Sequence, residues 1–374
     1  MKVKCQRDWL LTACQLVGVA VAARTTKPVL SCIKAIAQDD ALFLMATDLE
    51  IGVRYELRGI EVKRAGAALL QPNKLISILR ESSDADITLD SDENGTLVRT
   101  STGRFNLPGG DANEFPDIPA FDDGGQYHEI NAGLLRSMIK RTAFAADKTE
   151  ATARWAVTGV LWEAEEKKAR LVATDTRRLA LTEGVADVHG GVKDAKTPSH
   201  LVPQKAVQLL ERSLADDGEL IRIVLKPNEA MFQTGRALIH TRLVEGRFPP
   251  YRDIIPKKPG VTLAIPTAEF LSRVRQAAIM TDDESKRVEF KFEPGKLTLN
   301  AQGGADHGSG EVTMDLPDYQ GGEIDIAFNP QYLIDMLRAV ESEPTLTLEM
   351  TDGQKPAVFR LGADYLYLVM PLTG

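Results

Sequence analysis

The chain repeats itself three times, and the length of the repeat limits what it can fold into. Leu44-Met45-Ala46-Thr47-Asp48 aligns with Leu171-Val172-Ala173-Thr174-Asp175 and with Thr298-Leu299-Asn300-Ala301-Gln302 at a constant step of 127 residues. A second string agrees: residues 71–80, 202–211 and 329–338 each carry a proline, Pro72, Pro203 and Pro330, followed by apolar residues at matching places. Periods of roughly 20 to 50 residues build solenoids, whereas this one is the size of a whole domain. Three copies of one fold are expected in the 374 residues, at 1–125, 126–257 and 258–374.

With 43% hydrophobic and 26% charged residues and no apolar run near the length of a membrane span, the sequence reads as a soluble globular chain with no membrane partner. Lys2, Lys4, Arg7 and Asp8 stand where a secretory signal would need an apolar stretch, so a cytoplasmic location is expected. Cys5, Cys14 and Cys32 have neither C-x-x-C spacing nor a histidine placed to complete a metal site, which argues against a disulfide framework, a structural metal or a metal cofactor.

Each copy opens with a helical pattern. In residues 131–146 Leu134, Leu135, Met138, Ile139 and Phe144 recur at helical spacing, and residues 7–20 and 267–280 are the equivalents. A second helix follows the proline in each copy, over 73–81, 204–214 and 330–340, where the missing proline N–H costs little. Segments 41–45, 170–173, 221–225, 289–292, 296–300 and 345–350 alternate or are β-branched and read as antiparallel strands. The copy is therefore an α+β unit with helices packed on one face of a sheet. Turn-rich stretches 115–126 and 249–259 mark the boundaries, and 187–198 reads as an exposed loop.

Charge is sorted by element. The six helices carry eleven basic residues, Arg7, Lys74, Arg80, Arg136, Lys140, Arg141, Lys205, Arg212, Arg273, Arg275 and Arg338, against five acidic ones, an excess of six positive charges. Because the whole chain is at −8, the remainder must carry −14. Two readings stand: solvated polar faces of ordinary surface helices, or a basic surface on an acidic body suited to non-specific phosphate contact. No recognition helix, zinc finger or stacking platform accompanies these residues, so sequence readout is not expected.

No catalytic residues emerge. Asp48 and Asp175 recur in Thr-Asp pairs after a strand, the place of a turn residue, and the third copy has Gln302. The glycine-rich residues 303–310 lack the lysine and helix start of a phosphate loop. His128, His189, His200, His240 and His307 have neither ligand nor triad spacing. A scaffold fits better than an enzyme, although a hydrolase built on Asp48 or Asp175 stays open at this point.

Two strings carry a family resemblance. Residues 173–180 (Ala-Thr-Asp-Thr-Arg-Arg-Leu-Ala) with 243–256, and the ending Tyr367-Leu368-Val369-Met370-Pro371-Leu372, closely resemble the β subunit of bacterial DNA polymerase III, the sliding-clamp family. The resemblance covers the whole chain. It implies three clamp-fold domains per chain and a head-to-tail homodimer forming a ring of six domains, with helices inside and antiparallel sheets outside. Such a ring slides on double-stranded DNA without sequence specificity and raises the effective concentration of a tethered polymerase. An ATP-dependent clamp loader is implied, as are the replicative polymerase subunit and other polymerases and repair proteins bearing a clamp-binding peptide motif. A paralogue specialised for repair or plasmid replication would share the same motifs.

The family's DNA contacts fall on Arg24 and on Arg154 with Trp155, which join Lys74, Arg80, Arg136, Lys140, Arg141, Lys205, Arg273 and Arg275 as candidates. Its partner-peptide pocket falls on Val157, Thr174, Thr176, Arg177, Arg178, Leu179, Pro249, Ile254, Asn329, Tyr332, Val369, Met370, Pro371 and Leu372. Leu179, Ile254, Val369 and Met370 supply apolar surface and Asn329 can hold a glutamine amide. Asp253 stands where many clamps have a basic residue and Ser285 where an aromatic can occur. The family interface pairs the edge strand bearing Phe105 and Leu107 with the region of Ile279 and Met280, each burial worth ~1.5 to 3 kcal/mol.

Overall fold

The computed structural model describes residues 1–122, 125–147, 156–165, 167–190, 200–281, 286–303 and 308–373. Six α-helices form: α1 (Arg7–Val17), α2 (Pro72–Glu81), α3 (Ala132–Thr142), α4 (Gln204–Ser213), α5 (Thr267–Ala278) and α6 (Pro330–Ala339). All six coincide with the expected segments, and short 3-10 turns at Gly18–Ala20 and Ala143–Ala145 account for the extra length read at two C-termini. Pro72 and Pro330 occupy the first turn of α2 and α6. No helix is long and apolar enough to cross a membrane.

The chain packs as two compact units, and the middle copy is divided between them. The first unit holds 1–135, 186–196 and 205–243, the second 136–185, 197–204 and 244–374. Sheet pairing across copies explains the division.

In the first unit, a nine-stranded antiparallel sheet runs in the order Asp187–His189, Tyr127–Asn131, Leu220–Leu225, Glu229–Gln233, Ala237–Arg242, Ile51–Arg58, Ala41–Thr47, Ile33–Gln38, Gly66–Leu70. The middle copy joins the first where Ala237–Arg242 pairs with Ile51–Arg58, Ile239 opposite Val53. A separate five-stranded sheet, Glu61–Arg64, Lys2–Gln6, Asp86–Asp92, Gly95–Arg99, Arg104–Pro108, leaves Arg104–Pro108 at an edge. Leu10, Ala13, Cys14 and Val17 of α1 and Leu75 and Leu79 of α2 are buried, so each helix gives the core its apolar stripe.

In the second unit, an eight-stranded sheet runs His200–Pro203, Gly159–Glu165, Lys168–Thr174, Arg178–Val185, Tyr365–Val369, Ala357–Leu361, Thr345–Met350, Val261–Pro266. Here the third copy joins the middle one, Tyr367 opposite Ala180. A four-stranded sheet, Ser309–Leu316, Gly295–Gln302, Val288–Glu293, Ile324–Phe328, leaves Ser309–Leu316 at an edge.

Two sequence expectations are corrected. The third copy is out of step by one residue: fully buried Leu44 and Ala46 match Leu171 and Ala173, and the buried apolar pair that follows is Leu299 and Ala301, with polar Thr298 and half-buried Asn300 between and beside them. Strand pairing agrees, with Leu44 opposite Tyr55, Leu171 opposite Thr182 and Leu299 opposite Val312. The second step is therefore 128 residues, and a slip of one in a strand exchanges its two faces. Within the turn-rich stretch 249–259, Tyr251 sits in a core with Leu161, Val172, Leu179, Leu201, Leu366 and Leu368. In the expected loop 187–198, Asp187–His189 forms a strand against Tyr127–Asn131; residues 191–198 lie outside the described residues.

Candidate functional site

The turn between Lys168–Thr174 and Arg178–Val185 is built by its own side chains. Asp175 Oδ1 accepts the N–H groups of Arg177 and Arg178, both at 3.0 Å, and Thr174 Oγ1 accepts that of Thr176 at 3.0 Å. These bonds hold Thr176 at φ 73°, a left-handed conformation that a β-branched residue rarely adopts. Asp48 serves its own turn in the same way, accepting from Glu50 and Ile51, with Leu49 at φ 77°. Both carboxylates are thus turn formers, as their Thr-Asp context suggested.

Arg178 points inward from this turn. Its Nε donates to Asp175 Oδ2 at 3.0 Å, Nη1 to Asp335 Oδ2 at 2.7 Å and Nη2 to the Phe144 carbonyl at 3.0 Å. The guanidinium lies 4.6 Å from the Tyr332 ring centroid and 5.5 Å from that of Phe144. Burial alone would lower its pKa; Tyr367, Asp335 and Asp175 outweigh that and hold it above the ordinary arginine value. The cation therefore fixes Tyr332, whose carbonyl also accepts the Tyr367 hydroxyl at 2.8 Å. Burial pushes the Tyr332 hydroxyl above the usual phenol range, so it stays protonated and able to donate.

Two further elements converge there. Asn329 caps α6, its Oδ1 accepting from Gln331 N–H at 3.0 Å, which leaves its amide N–H groups for another acceptor. The end of the chain is laced down: Met370 N–H donates to Arg177 O and Leu372 N–H to Ala327 O, each at 2.8 Å, and Arg287 Nη1 donates to Leu372 O at 3.0 Å. Tyr251, with Phe248 and Ile255, anchors the 248–255 segment on the core that includes Leu179 and Leu368.

The fourteen candidate pocket residues separate by depth. Val157, Thr174, Arg178, Leu179 and Val369 are buried. Pro249, Asn329, Tyr332, Pro371 and Leu372 are half-buried. Thr176, Arg177, Ile254 and Met370 are exposed, Ile254 at 46% and Met370 at 40%. Exposed apolar side chains, an adaptable methionine, a pinned tyrosine and a free amide are suited to an extended segment bearing apolar residues and a glutamine. Arg178 supports this surface from beneath and does not line it. Asp335 and Phe144 were not legible as its supports: Asp335 lies 157 residues from Arg178 in the chain.

The basic candidates differ in availability. Arg24, Lys74, Arg80, Lys140 and Arg275 are exposed, and Arg136 is half-buried. Arg141 is committed to Glu343 at 2.7 Å, Lys205 to Asp48 at 2.6 Å and Arg273 to Glu269 at 3.1 Å. Arg154 and Trp155, like Ser285, lie outside the described residues. On the edge strand Phe105 is 42% exposed, whereas Leu107 is already buried in its own sheet and has little area left to contribute; Ile279 is 77% exposed and Met280 half-buried. Among the described residues no group of His, Cys, Asp and Glu could hold a metal ion.

Three family models match consecutive stretches: the N-terminal domain of the DNA polymerase III β subunit over residues 1–119, its central domain over 129–250 and its C-terminal domain over 252–372. The chain is 26% identical to the β sliding clamp of Bacillus subtilis over 385 aligned positions, spanning 100% of this chain and 99% of that one, and 29% identical to that of Synechocystis, with the same coverage. Among solved structures, the Bacillus subtilis clamp superposes with a TM-score of 0.88 at 26% identity, covering 100% of this chain and 99% of the other. The Pseudomonas aeruginosa clamp bound to griselimycin gives the same score and identity and covers both chains fully. On these matches, from the first residue to within two of the last, the chain belongs to the β subunit family of bacterial DNA polymerase III, the sliding clamps.

Proposed function

We propose that two copies of this chain close head to tail into a ring around duplex DNA, and that the surface around Met370 and Tyr332 tethers the replicative polymerase and other proteins carrying a clamp-binding peptide. Membership of the family makes the chain a processivity factor of DNA replication and not an enzyme. The finer reading takes domains at 1–125, 126–257 and 258–374, an ATP-dependent loader to open the ring, and a cytoplasmic location. One observation carries the ring. Each joint between copies pairs the last strand of one copy with Ile51–Arg58 or its counterpart Arg178–Val185 in its neighbour, and one strand of each kind, Arg104–Pro108 and Ser309–Leu316, is left at an open edge. An open edge invites pairing with another chain.

The mechanism asks little of individual residues. Exposed Arg24, Lys74, Arg80, Lys140 and Arg275 supply attraction to phosphates without base contacts, which would arrest sliding. Tethering replaces a bimolecular encounter with a local concentration on the order of millimolar. Negative-stain electron microscopy of the purified protein tests the reading: open-centred particles with six lobes are expected, and solid or elongated particles at concentrations where a dimer persists would remove it.

A further inference from the structure

The three copies differ at the strand that leads into their first helix. Lys2–Gln6, Tyr127–Asn131 and Val261–Pro266 run directly into α1, α3 and α5, and each pairs on its inner side in one register, Gln6 opposite Asp86, Asn131 opposite Leu220 and Pro266 opposite Thr345. On the outer side the first is covered by Glu61–Arg64 and the second by Asp187–His189, both antiparallel. Among the described residues nothing covers the third, and Val261–Pro266 ends its sheet. The corresponding segment of the third copy, residues 317–323, is drawn elsewhere: Tyr319 is buried against Phe292, ring centroids 6.1 Å apart, and its carbonyl accepts the Gly295 N–H at 3.0 Å.

We infer that the open side of Val261–Pro266 is a docking edge for an extended segment of a partner protein, which adds there as the strand that the other two copies supply from their own chain. Thr267 N–H donates to Pro344 O at 3.0 Å. Bonded and non-bonded pairs alternate along an antiparallel ladder, so Leu263 and Ile265 turn their backbone groups inward to Thr345–Met350, while Thr262 and Ala264 turn theirs out. Both outward residues are exposed, whereas Leu263 and Ile265 are buried. The edge thus offers an N–H and a carbonyl from each of Thr262 and Ala264 beside an apolar floor.

The two covered copies indicate what the edge selects. Val62 lies opposite Val3 and Val188 opposite His128, each valine half-buried and flanked by polar residues. The matching position in the third copy faces Leu263, so the incoming strand needs a β-branched apolar residue there. Its antiparallel course carries its C-terminal end toward Lys257 and Lys258, which are exposed and, among the described residues, have no ion-pair partner, so acidic residues suit that end. A second copy of this chain suits the edge less well: self-pairing centred on Ala264 sets Thr262 against Pro266, which has no N–H to give.

A fluorescein-labelled peptide, Val-Thr-Val-Thr-Glu-Glu, titrated against the full chain supplies the test. Binding is expected, and the amides of Thr262 and Ala264 are expected to exchange fast in the free chain and to gain protection with the peptide, while those of Leu263 and Ile265 stay as they were. Slow exchange of Thr262 and Ala264 in the free chain would mean that the edge is already covered, and protection that appears only as protein concentration rises would make it a contact between copies; either overturns the proposal. Fast exchange without binding would leave the lysines and the proline as guards of the edge alone, and overturns it as well. Ala264→Pro removes an outward N–H and no bond of the free chain, and is expected to weaken the peptide about tenfold or more with native mass and thermal unfolding unchanged. The chain carrying Lys257→Glu with Lys258→Glu, which leaves the strand untouched, is expected to reject this peptide and to accept one ending in Lys-Lys. Wild-type affinity in both variants would place the peptide elsewhere and sink the assignment.

Discussion

At the joint of the first and middle copies Arg242 N–H donates to Glu50 O; at the joint of the middle and third copies Met370 N–H donates to Arg177 O. The backbone is the same in both places and the side chains are not. Beside the first joint, Lys205 reaches Asp48 across partly exposed surface and Arg242 loosely faces Glu50 at 3.7 Å. Beside the second, Tyr332 replaces Lys205 and Met370 replaces Arg242. Where the first has buried Ile51 the second has Arg178, turned inward between two carboxylates and two rings. One architecture yields a charged, self-satisfied surface or an apolar receptive one, according to whether a buried cation organises the aromatic residue above it.

The largest test of this contrast is stability. Arg178→Ala leaves Asp175 and Asp335 facing a void, and a loss of about 3 to 5 kcal/mol is expected from urea denaturation. Lys205→Ala at the solvated joint is expected to cost under ~1 kcal/mol. Equal losses would dissolve the distinction. Next comes binding: Met370→Ala is expected to weaken a fluorescent polymerase-derived peptide about tenfold, ~1.4 kcal/mol, with the dimer intact. Arg242→Ala, at the matching place, is expected to leave that affinity unchanged. A comparable loss at Arg242 would show that both joints take the peptide.

The smallest effect separates the sheets by pH. Burial holds the His128 imidazole, in the nine-stranded sheet, below its ordinary value of 6.5. Below pH ~6.5 the folded chain thus binds fewer protons than the unfolded one, so the stability present above that value is lost as pH falls from it through the lower folded pKa of His128. Hydrogen exchange corrected for intrinsic rates is expected to show the Tyr127–Asn131 strand losing protection between pH 7 and 5, and His128→Phe to suppress the loss. An unchanged pH response in His128→Phe would assign the effect to other groups.

Local patterns were readable because local physics sets them. Apolar residues at helical spacing located α1 to α6, and alternation located strands such as Thr345–Met350. What escaped depends on partners far away in the chain. Arg141 reads as a free cation until Glu343, 202 residues on, is seen to hold it. Arg178 reads as part of a basic turn until its inward course is known. The slip in the third copy had a different source: Thr298-Leu299-Asn300 and Leu299-Asn300-Ala301 both fit a loose apolar string, and only burial says which residues face the core. The prolines around Tyr251 show a turn-rich stretch but not that its aromatic ring anchors the turn on the core.

The sharing of sheets between copies also bears on synthesis. A nascent chain that has completed Ile51–Arg58 has no partner for that strand's outer edge until Ala237–Arg242 emerges, about 180 residues later. At ~5 to 20 residues per second this is a wait of roughly 10 to 40 s at the ribosome. During it a half-built sheet shows its unpaired amides to the cell, and nascent chains on neighbouring ribosomes of one message expose the same edge. Vectorial folding of this chain is thus a problem in holding an edge open without losing it to the wrong copy.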